Sequence, residues 1–353
     1  MLGSTEPRLF TPPRITGPAG PCGCGCALSP ETSYGFAVDD FARDILEQPL
    51  DPWERWLVIH ACELLPDGRP RFRKVLVIVA RQNGKTHVLV VLSLYWLFVA
   101  QVGLVLGTST NLDYARESWE KAVELAESID LLGEEIPKGG VRRTNGEQTL
   151  TLSRKVHEVV GGEVKKRTRK SRYKIAASNR KGGRSLTVHR LILDELREHD
   201  SWDAWNAAYN AMNAVRDAQV FGITNKGDAR GIVLQSLRTE AVDTDEVSGR
   251  ETIRADGDPR LGLFEWSAPA GSDPEDVHAL AQANPNLGRR IDVEDLLGDA
   301  RRAKRNGGEE LAQFLTEIMC IDVPNLDPAL SRDGRFVASR PRRPTSSRAT
   351  RTA

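Results

Sequence analysis

Excess charge of either sign is absent from this chain of 353 residues, in which 49 Lys and Arg face 49 Asp and Glu. That balance removes any global electrostatic pull towards nucleic acid and confines such contacts to local patches. Long apolar runs are missing too. The most apolar stretch, His87 to Val99, is far too short to span a bilayer, and Met1 to Gly20 has no apolar core of the kind a secretion signal needs. No membrane association and a cytosolic location are therefore expected. Cysteine is scarce, and three of the five cluster as Cys22-Gly23-Cys24-Gly25-Cys26. Packed thiolates of this kind could bind Zn²⁺ or oxidise. However, no second cysteine pair stands at zinc-finger spacing, and the cluster lies in a Pro/Gly-rich lead-in, so residues 1–30 read as a flexible arm. Cys62 and Cys320 read as buried apolar residues. There is no internal repeat. What is present, 40% hydrophobic and 28% charged residues, is an ordinary globular composition, enough for one large α/β core or two modest domains.

The richest local signal is Ala80-Arg81-Gln82-Asn83-Gly84-Lys85-Thr86, set between a strand-like run, Lys74 to Val79, and a helix-like run from His87 to Val99. In that context it reads as a phosphate-binding loop. Backbone N–H groups of the turn and of the following helix N-terminus offer positive partial charge to phosphate oxygens. Lys85 adds a full charge at the β/γ-phosphates, and the Thr86 hydroxyl suits a Mg²⁺ ligand. The usual pattern has a glycine five residues before the Gly-Lys pair, where this chain has Val79. A strand-turn-helix joint that merely reads Gly-Lys-Thr is the plain alternative. Against it stands Leu191-Ile192-Leu193-Asp194-Glu195, an apolar run ending in two carboxylates. Asp194 at the end of a buried strand can hold Mg²⁺ through its water shell, and Glu195 can polarise the attacking water as general base. ATP and Mg²⁺ are the cofactors implied. The plain alternative for the acidic pair is a helix N-terminus complementing its dipole.

Periodicity places short helices between Tyr34 and Leu65, then strands at 74–80, 102–107, 173–178, 187–193, 218–224 and 261–268. Helices at 85–100, 110–129, 201–214 and 229–241 fall between several of them. Such alternation predicts an α/β fold, a P-loop NTPase with a mainly parallel sheet flanked by helices. Residues 145–174 read as a polar β-hairpin insertion, and segments near 274–282, 292–305 and 308–320 make the carboxyl-terminal part helical. Two basic patches stand out. Lys165-Lys166-Arg167-Thr168-Arg169-Lys170-Ser171-Arg172-Tyr173-Lys174 is either a solvated hairpin or a phosphate-backbone contact. In the tail, Arg332, Arg335, Arg340, Arg342, Arg343, Arg348 and Arg351 face only Asp333.

An ordered series of motifs runs through residues 30 to 330. It comprises Leu50-Asp51-Pro52-Trp53-Glu54-Arg55-Trp56, Val79 to Thr86, Thr108-Ser109-Thr110-Asn111, and Ala176-Ala177-Ser178-Asn179-Arg180 with Gly182-Gly183-Arg184. It continues with Leu193-Asp194-Glu195, Ile223-Thr224-Asn225-Lys226-Gly227, Asn284-Pro285-Asn286-Leu287-Gly288 and Phe314-Leu315-Thr316-Glu317-Ile318-Met319-Cys320. The series resembles the large terminase subunit of tailed double-stranded DNA bacteriophages, the ATP-driven DNA-packaging motor. The resemblance implies that Arg81 touches the γ-phosphate in its own subunit and that Arg184 is a finger inserted into a neighbour, although Arg184 also reads as a surface arginine. It implies that Thr224 and Asn225 sense the γ-phosphate, and that Trp53 and Glu54 lie near the adenine. The family usually has glutamine after that tryptophan, and Glu54 lacks the amide donor. Implied partners are double-stranded DNA, a portal protein, a small terminase subunit and further copies in a ring, working in the host cytoplasm and transiently at the procapsid portal.

Family members normally continue into a metal-dependent nuclease domain. Here Asn325 to Leu330 still reads as family-like, and from Arg335 an Arg/Ser/Thr/Pro stretch follows that can neither form a core nor hold metals. The expected organisation is a flexible arm over 1–30, a motor domain over 31–330 with linker helices at its end, and a disordered basic tail over 331–353 with the nuclease part absent. Other expectations compatible with the motifs are a different P-loop DNA-dependent ATPase, such as a helicase, and an inactive prophage remnant.

Overall fold

The computed structural model describes residues 1–109, 112–144, 147–160, 163–176, 186–227, 231–245 and 247–323. Strand β1 (Leu9–Phe10) precedes helices α1 (Gly35–Asp44) and α2 (Pro52–Ala61). Next come β2 (Lys74–Ile78), α3 (Lys85–Leu94), β3 (Leu104–Thr108), α4 (Leu112–Ser128) and the short α5 (Asp130–Gly133). The chain then forms β4 (Val141–Thr144), β5 (Glu147–Val160), β6 (Glu163–Ile175), β7 (Arg190–Asp194), α6 (Trp202–Asn210), β8 (Gln219–Thr224) and α7 (Ile232–Ala241). It closes with β9 (Val242–Thr244), β10 (Glu251–Ile253), β11 (Leu261–Glu265), α8 (Val277–Ala283), α9 (Val293–Asn306) and α10 (Gly308–Glu317). None of these helices is long and apolar enough to cross a membrane.

Nine strands form one sheet in the order β1-β11-β2-β8-β7-β3-β6-β5-β4. Neighbours from β11 to β6 pair parallel, and antiparallel pairs occur only towards the two edges. The strands are apolar on both faces because helices cover both. Val75 and Val77 of β2 point into a core shared with α1 to α4. Leu76 and Ile78 point into the opposite core, with Trp205 of α6 and Val233, Leu234 and Leu237 of α7. Helix α3 is buried from Val88 to Leu94, apolar there except for Ser93, whose hydroxyl donates to the Val90 carbonyl, as a helix enclosed between layers must be. Its last turn widens to a π-turn at Tyr95–Val99, which ends the α-helical part short of the expected residue 100.

The carboxyl-terminal helices follow the expected pattern. In α9, Asp292 accepts from the Glu294 and Asp295 N–H groups at 2.8 and 3.1 Å, while Lys304 and Arg305 sit in its last turn. Leu296, Leu297, Ala300 and Ala303 give it one buried stripe, packed in a third cluster with Leu280 and Phe314.

One expectation is corrected. The first thirty residues are not a loose arm. Leu9 and Phe10 pair with Glu265 and Phe264 of β11, the Gly3 N–H donates to the Leu287 carbonyl at 2.8 Å, and Leu28 is fully buried. The physical reason is an otherwise open sheet edge, which this segment covers, together with the Phe10 ring, which meets Trp56 edge-on at 5.0 Å. The expected polar β-hairpin is present: β5 and β6 pair antiparallel from Thr149 and Lys174 to Val160 and Glu163. Its second strand, β6, runs on into the parallel sheet, where Arg172 to Ile175 pair with Leu104 to Gly107. The expected basic tail, residues 331–353, lies outside the described residues.

Candidate active site

The carboxyl ends of the central strands bring the expected site together. Across the sheet, Ile78 faces Thr224, Asp194 faces Ile223 and Thr108 faces Leu193. The loop after β2, the Asp194-Glu195 pair after β7 and Thr224-Asn225 after β8 therefore lie along one edge, where open parallel sheets hold their ligands.

Two left-handed residues shape the loop, Gln82 at φ 61° and Gly84 at φ 99°. A Cβ at Gly84 would stand 2.5 Å from Glu54 Oε1, so the position excludes any side chain as well as favouring glycine. Asn83 is fully buried and faces inward. Its carboxamide donates to the Arg81 carbonyl at 3.0 Å and to Asn284 Oδ1 at 3.1 Å, and accepts from the Asn286 N–H at 2.9 Å. Asn286 in turn donates to the Asn83 carbonyl at 2.9 Å and to Asp51 Oδ2 at 2.8 Å. The Asn-Pro-Asn segment thus braces the loop from below. Ala80 is also buried, Lys85 and Thr86 are half-buried, and Arg81 and Gln82 are exposed. Val79, where the glycine was missed, donates its N–H to the Thr224 carbonyl at 3.0 Å.

Trp53 and Glu54, expected near the adenine, have no exposed surface to offer a ring. Trp53 is sealed against Trp266 at 5.2 Å in the core. Glu54 sits beneath the loop, accepting from the Asp51 N–H and pairing with His87 Nδ1, both at 2.8 Å. Burial pushes its carboxyl up, against the pull of His87. Glu54 supports the loop from beneath, while Trp53 belongs to the core.

Lys85 Nζ is buried, 3.6 Å from Glu195 Oε1, and has no hydrogen-bond partner among the described residues. A buried ammonium without a hydrogen bond is costly, and a phosphate oxygen is an acceptor of the right chemistry and sign for it. Thr108 Oγ1 and both carboxamide atoms of the fully buried Asn225 are likewise without partners. Asp194 accepts from Ser118 Oγ at 3.1 Å and from the Glu195 N–H at 3.0 Å. Burial raises its carboxyl to about 6, and the adjacent Glu195 charge adds to the shift. A cation beside it would relieve both effects, and Thr86, in the first turn of α3, offers a further oxygen of the kind Mg²⁺ takes. Glu195 itself has φ 52°, a left-handed strain of about 1–2 kcal/mol for a non-glycine residue, of the kind that clusters at functional sites.

Two residues that sequence reasoning left without a role stand beside these groups. Arg197 Nε meets Glu195 Oε2 at 3.1 Å and its Nη1 meets Glu317 Oε1 at 3.0 Å, while its N–H donates to Thr224 Oγ1 at 3.2 Å. Glu317, at the end of α10, also holds Arg81 Nη1 at 3.0 Å and accepts the Arg81 N–H on its carbonyl at 3.1 Å. Glu317 fell inside a quoted motif, but nothing local marked it as an arginine partner. Arg184 lies outside the described residues.

Solved structures share this architecture. The large terminase of bacteriophage HK97 superposes with a TM-score of 0.62 at 19% identity, over 85% of this chain and 58% of its own. An arginine-to-alanine mutant of the Thermus phage P74-26 large terminase ATPase domain superposes with a TM-score of 0.54 at 16% identity, over 81% of this chain and 98% of its own. The fold is that of a phage large terminase ATPase domain. Identities this low speak to fold alone, and the chain spans little more than half the length of the HK97 protein. No family model matches the chain, and no curated protein matches it in sequence.

Proposed function

We propose that this chain is the ATP-hydrolysing motor part of a phage large terminase, coupling ATP turnover to movement of double-stranded DNA into a procapsid. The observation that carries the reading is the buried Lys85 ammonium, ion-paired with Glu195 at 3.6 Å yet without a hydrogen bond among the described residues, near Asp194 at the carboxyl edge of a terminase-type sheet. Lys85 binds the β/γ-phosphates, and the backbone of residues 80–86 cradles them. Thr86 and Asp194 would hold Mg²⁺, which supplies charge neutralisation to the phosphates when bound. Glu195 takes the proton of the attacking water, with Arg197 fixing its carboxylate. Arg81 leaves Glu317 for the γ-phosphate, and Thr224 and Asn225 report its loss to the rest of the sheet. Arg184 acts as a finger in a neighbouring subunit of a ring, a contribution of about a thousandfold or more in rate. The exposed basic strand of the hairpin offers a DNA contact. A portal protein and a small terminase subunit are the further partners of such a motor in the host cytoplasm.

Phosphate release by the purified chain, with and without linear DNA, tests the reading. Lys85→Ala should weaken ATP binding. Glu195→Gln should bind ATP normally and lose about 10²- to 10⁴-fold in turnover, the usual contribution of a general base. Mixing Arg184→Ala chains with Glu195→Gln chains should restore part of the activity. A Glu195→Gln chain that turns over ATP at the normal rate removes Glu195 from the mechanism.

A further inference from the structure

Far along the same helix that supports the phosphate loop, four side chains with no part in that site converge. The sulfurs of Cys22, Cys24 and Cys26 and one ring nitrogen of His60 all lie within 4.8 Å of one another. Cys22 Sγ is 3.1 Å from Cys26 Sγ, and Cys24 Sγ is 3.4 Å from His60 Nε2. Ligands about 2.3 Å from a tetrahedral zinc ion would stand a little under 4 Å apart, so the four atoms already occupy the corners of such a cage to within small side-chain movements. We propose that Cys22, Cys24, Cys26 and His60 form a structural zinc site that fastens the amino-terminal segment to α2.

Three independent features of the surroundings fit a metal rather than a chance cluster. Gly23 and Gly25 both adopt left-handed φ, 89° and 86°, with open space where a Cβ would be. Packing therefore does not demand glycine at either position. The backbone does, because these two turns swing alternate side chains to one point, and the Cys24 N–H is left pointing at Cys22 Sγ at 3.3 Å as it would towards a thiolate. His60 Nδ1 lies 2.7 Å from the Trp56 carbonyl, and its ring stacks on Trp56 at 3.6 Å. A carbonyl can only accept, so Nδ1 carries the proton and the Nε2 lone pair is turned to the sulfurs, the outer-shell arrangement of metal-bound histidines. Finally, three thiolates, a neutral imidazole and Zn²⁺ sum to one negative charge, and Arg55, which pairs with Asp39 at 2.8 Å, also donates from Nη1 to the Cys22 carbonyl at 3.0 Å. Soft sulfur donors in a tetrahedral set select zinc over Mg²⁺ or Ca²⁺, and four protein ligands leave no open position for catalysis. The role is structural: His60 belongs to α2, whose first turn carries Asp51 and Glu54 beneath the loop, so the ion would tie the sheet-edge segment to the helix that supports the nucleotide site.

Metal analysis of the full chain, purified under reducing conditions without chelator, should find about one zinc per chain, and the Cys24→Ser, Cys26→Ser double variant should lose it by roughly tenfold or more in affinity. Chelation should make the three clustered thiols newly reactive to a thiol reagent and lower the melting temperature. Should the double variant fail to fold, cobalt(II) exchange into the unmodified chain keeps the question open to test, because a tetrahedral thiolate site gives intense visible absorption. A folded chain that binds neither zinc nor cobalt, or one whose Cys22 and Cys26 form a disulfide under those reducing conditions, overturns the proposal. Since all three sulfurs lie outside the phosphate site, loss of zinc with ATP still bound is expected, and failure of the ATPase reading would leave this result standing.

Discussion

Arg197 is the residue that holds the Glu195 carboxylate, the general base in the proposed mechanism. Its guanidinium bridges Glu195 and Glu317 at 3.1 and 3.0 Å, and both carboxylates are largely buried, so each bond is stronger than a surface ion pair. Removing it leaves Glu195 free to close fully on Lys85, which would lower its readiness to take a proton. Arg197→Ala is expected to lower kcat about 10- to 100-fold with little change in KM for ATP, the pattern of an interaction that matters after binding. Arg197→Lys should not restore it, because an ammonium cannot reach both carboxylates as a planar fork does. Steady-state kinetics with both variants decide the point, and a rise in KM at unchanged kcat would make Arg197 a binding residue instead.

At the scale of elements, the β5–β6 hairpin joins the sheet to a basic surface. Lys166, Arg167, Arg169 and Lys170 lie in consecutive pairing with His157, Val156, Arg154 and Ser153, and all four are exposed. Near the sheet, Arg154 is held by Glu135 and by the Leu97 and Phe98 carbonyls of the π-turn, so the ribbon has a fixed base. Each cation that neutralises a DNA phosphate adds about 0.9 to the slope of log affinity against log salt. Lys166→Ala combined with Lys170→Ala should weaken DNA binding and flatten that slope by up to about 1.8, while ATP turnover without DNA stays the same. An unchanged slope would mark the strip as a solvated face.

The whole molecule is closed by an ion network that joins the amino terminus to the sheet edge. Arg8 and Arg238 both pair with Glu251 and with the fully buried Glu265. Burial alone would raise the Glu265 carboxyl, but the Lys226 and Arg238 charges outweigh it and hold it at about 2, below its ordinary 4.5. Because the folded value is the lower one, the unfolded chain takes up this proton first as pH falls. The stabilisation is complete above about pH 4.5 and is lost progressively towards pH 2. Urea unfolding across that range should show the loss, and Glu265→Gln should flatten it while destabilising the neutral protein by about 3–5 kcal/mol, since Arg238 is left buried with a weaker partner. A variant with the same acid profile as the parent would assign the effect to other carboxylates.

Much of this protein was legible before folding because the signals are local. Alternating and continuous apolar runs, the turn at Gly84 and the caps of α9 depend on neighbours within a few residues, so strands, helices and the strand-turn-helix joint over 80–86 follow from the chain alone. The convergence of Lys85, Asp194 and Thr224 was also readable, since each stands at the end of a parallel strand and parallel sheets align those ends. What distance in sequence hides, only the tertiary structure decided. Trp53 became core because Trp266 reaches it from more than two hundred residues away. Glu317 became the partner of two arginines because α10 returns to the loop. The three cysteines lacked a second pair at finger spacing, and their fourth neighbour is a histidine on α2 that no spacing rule connects to them. The first thirty residues, with little helix or strand pattern of their own, take their form from the open edge of β11, which offers unpaired backbone groups that the segment satisfies.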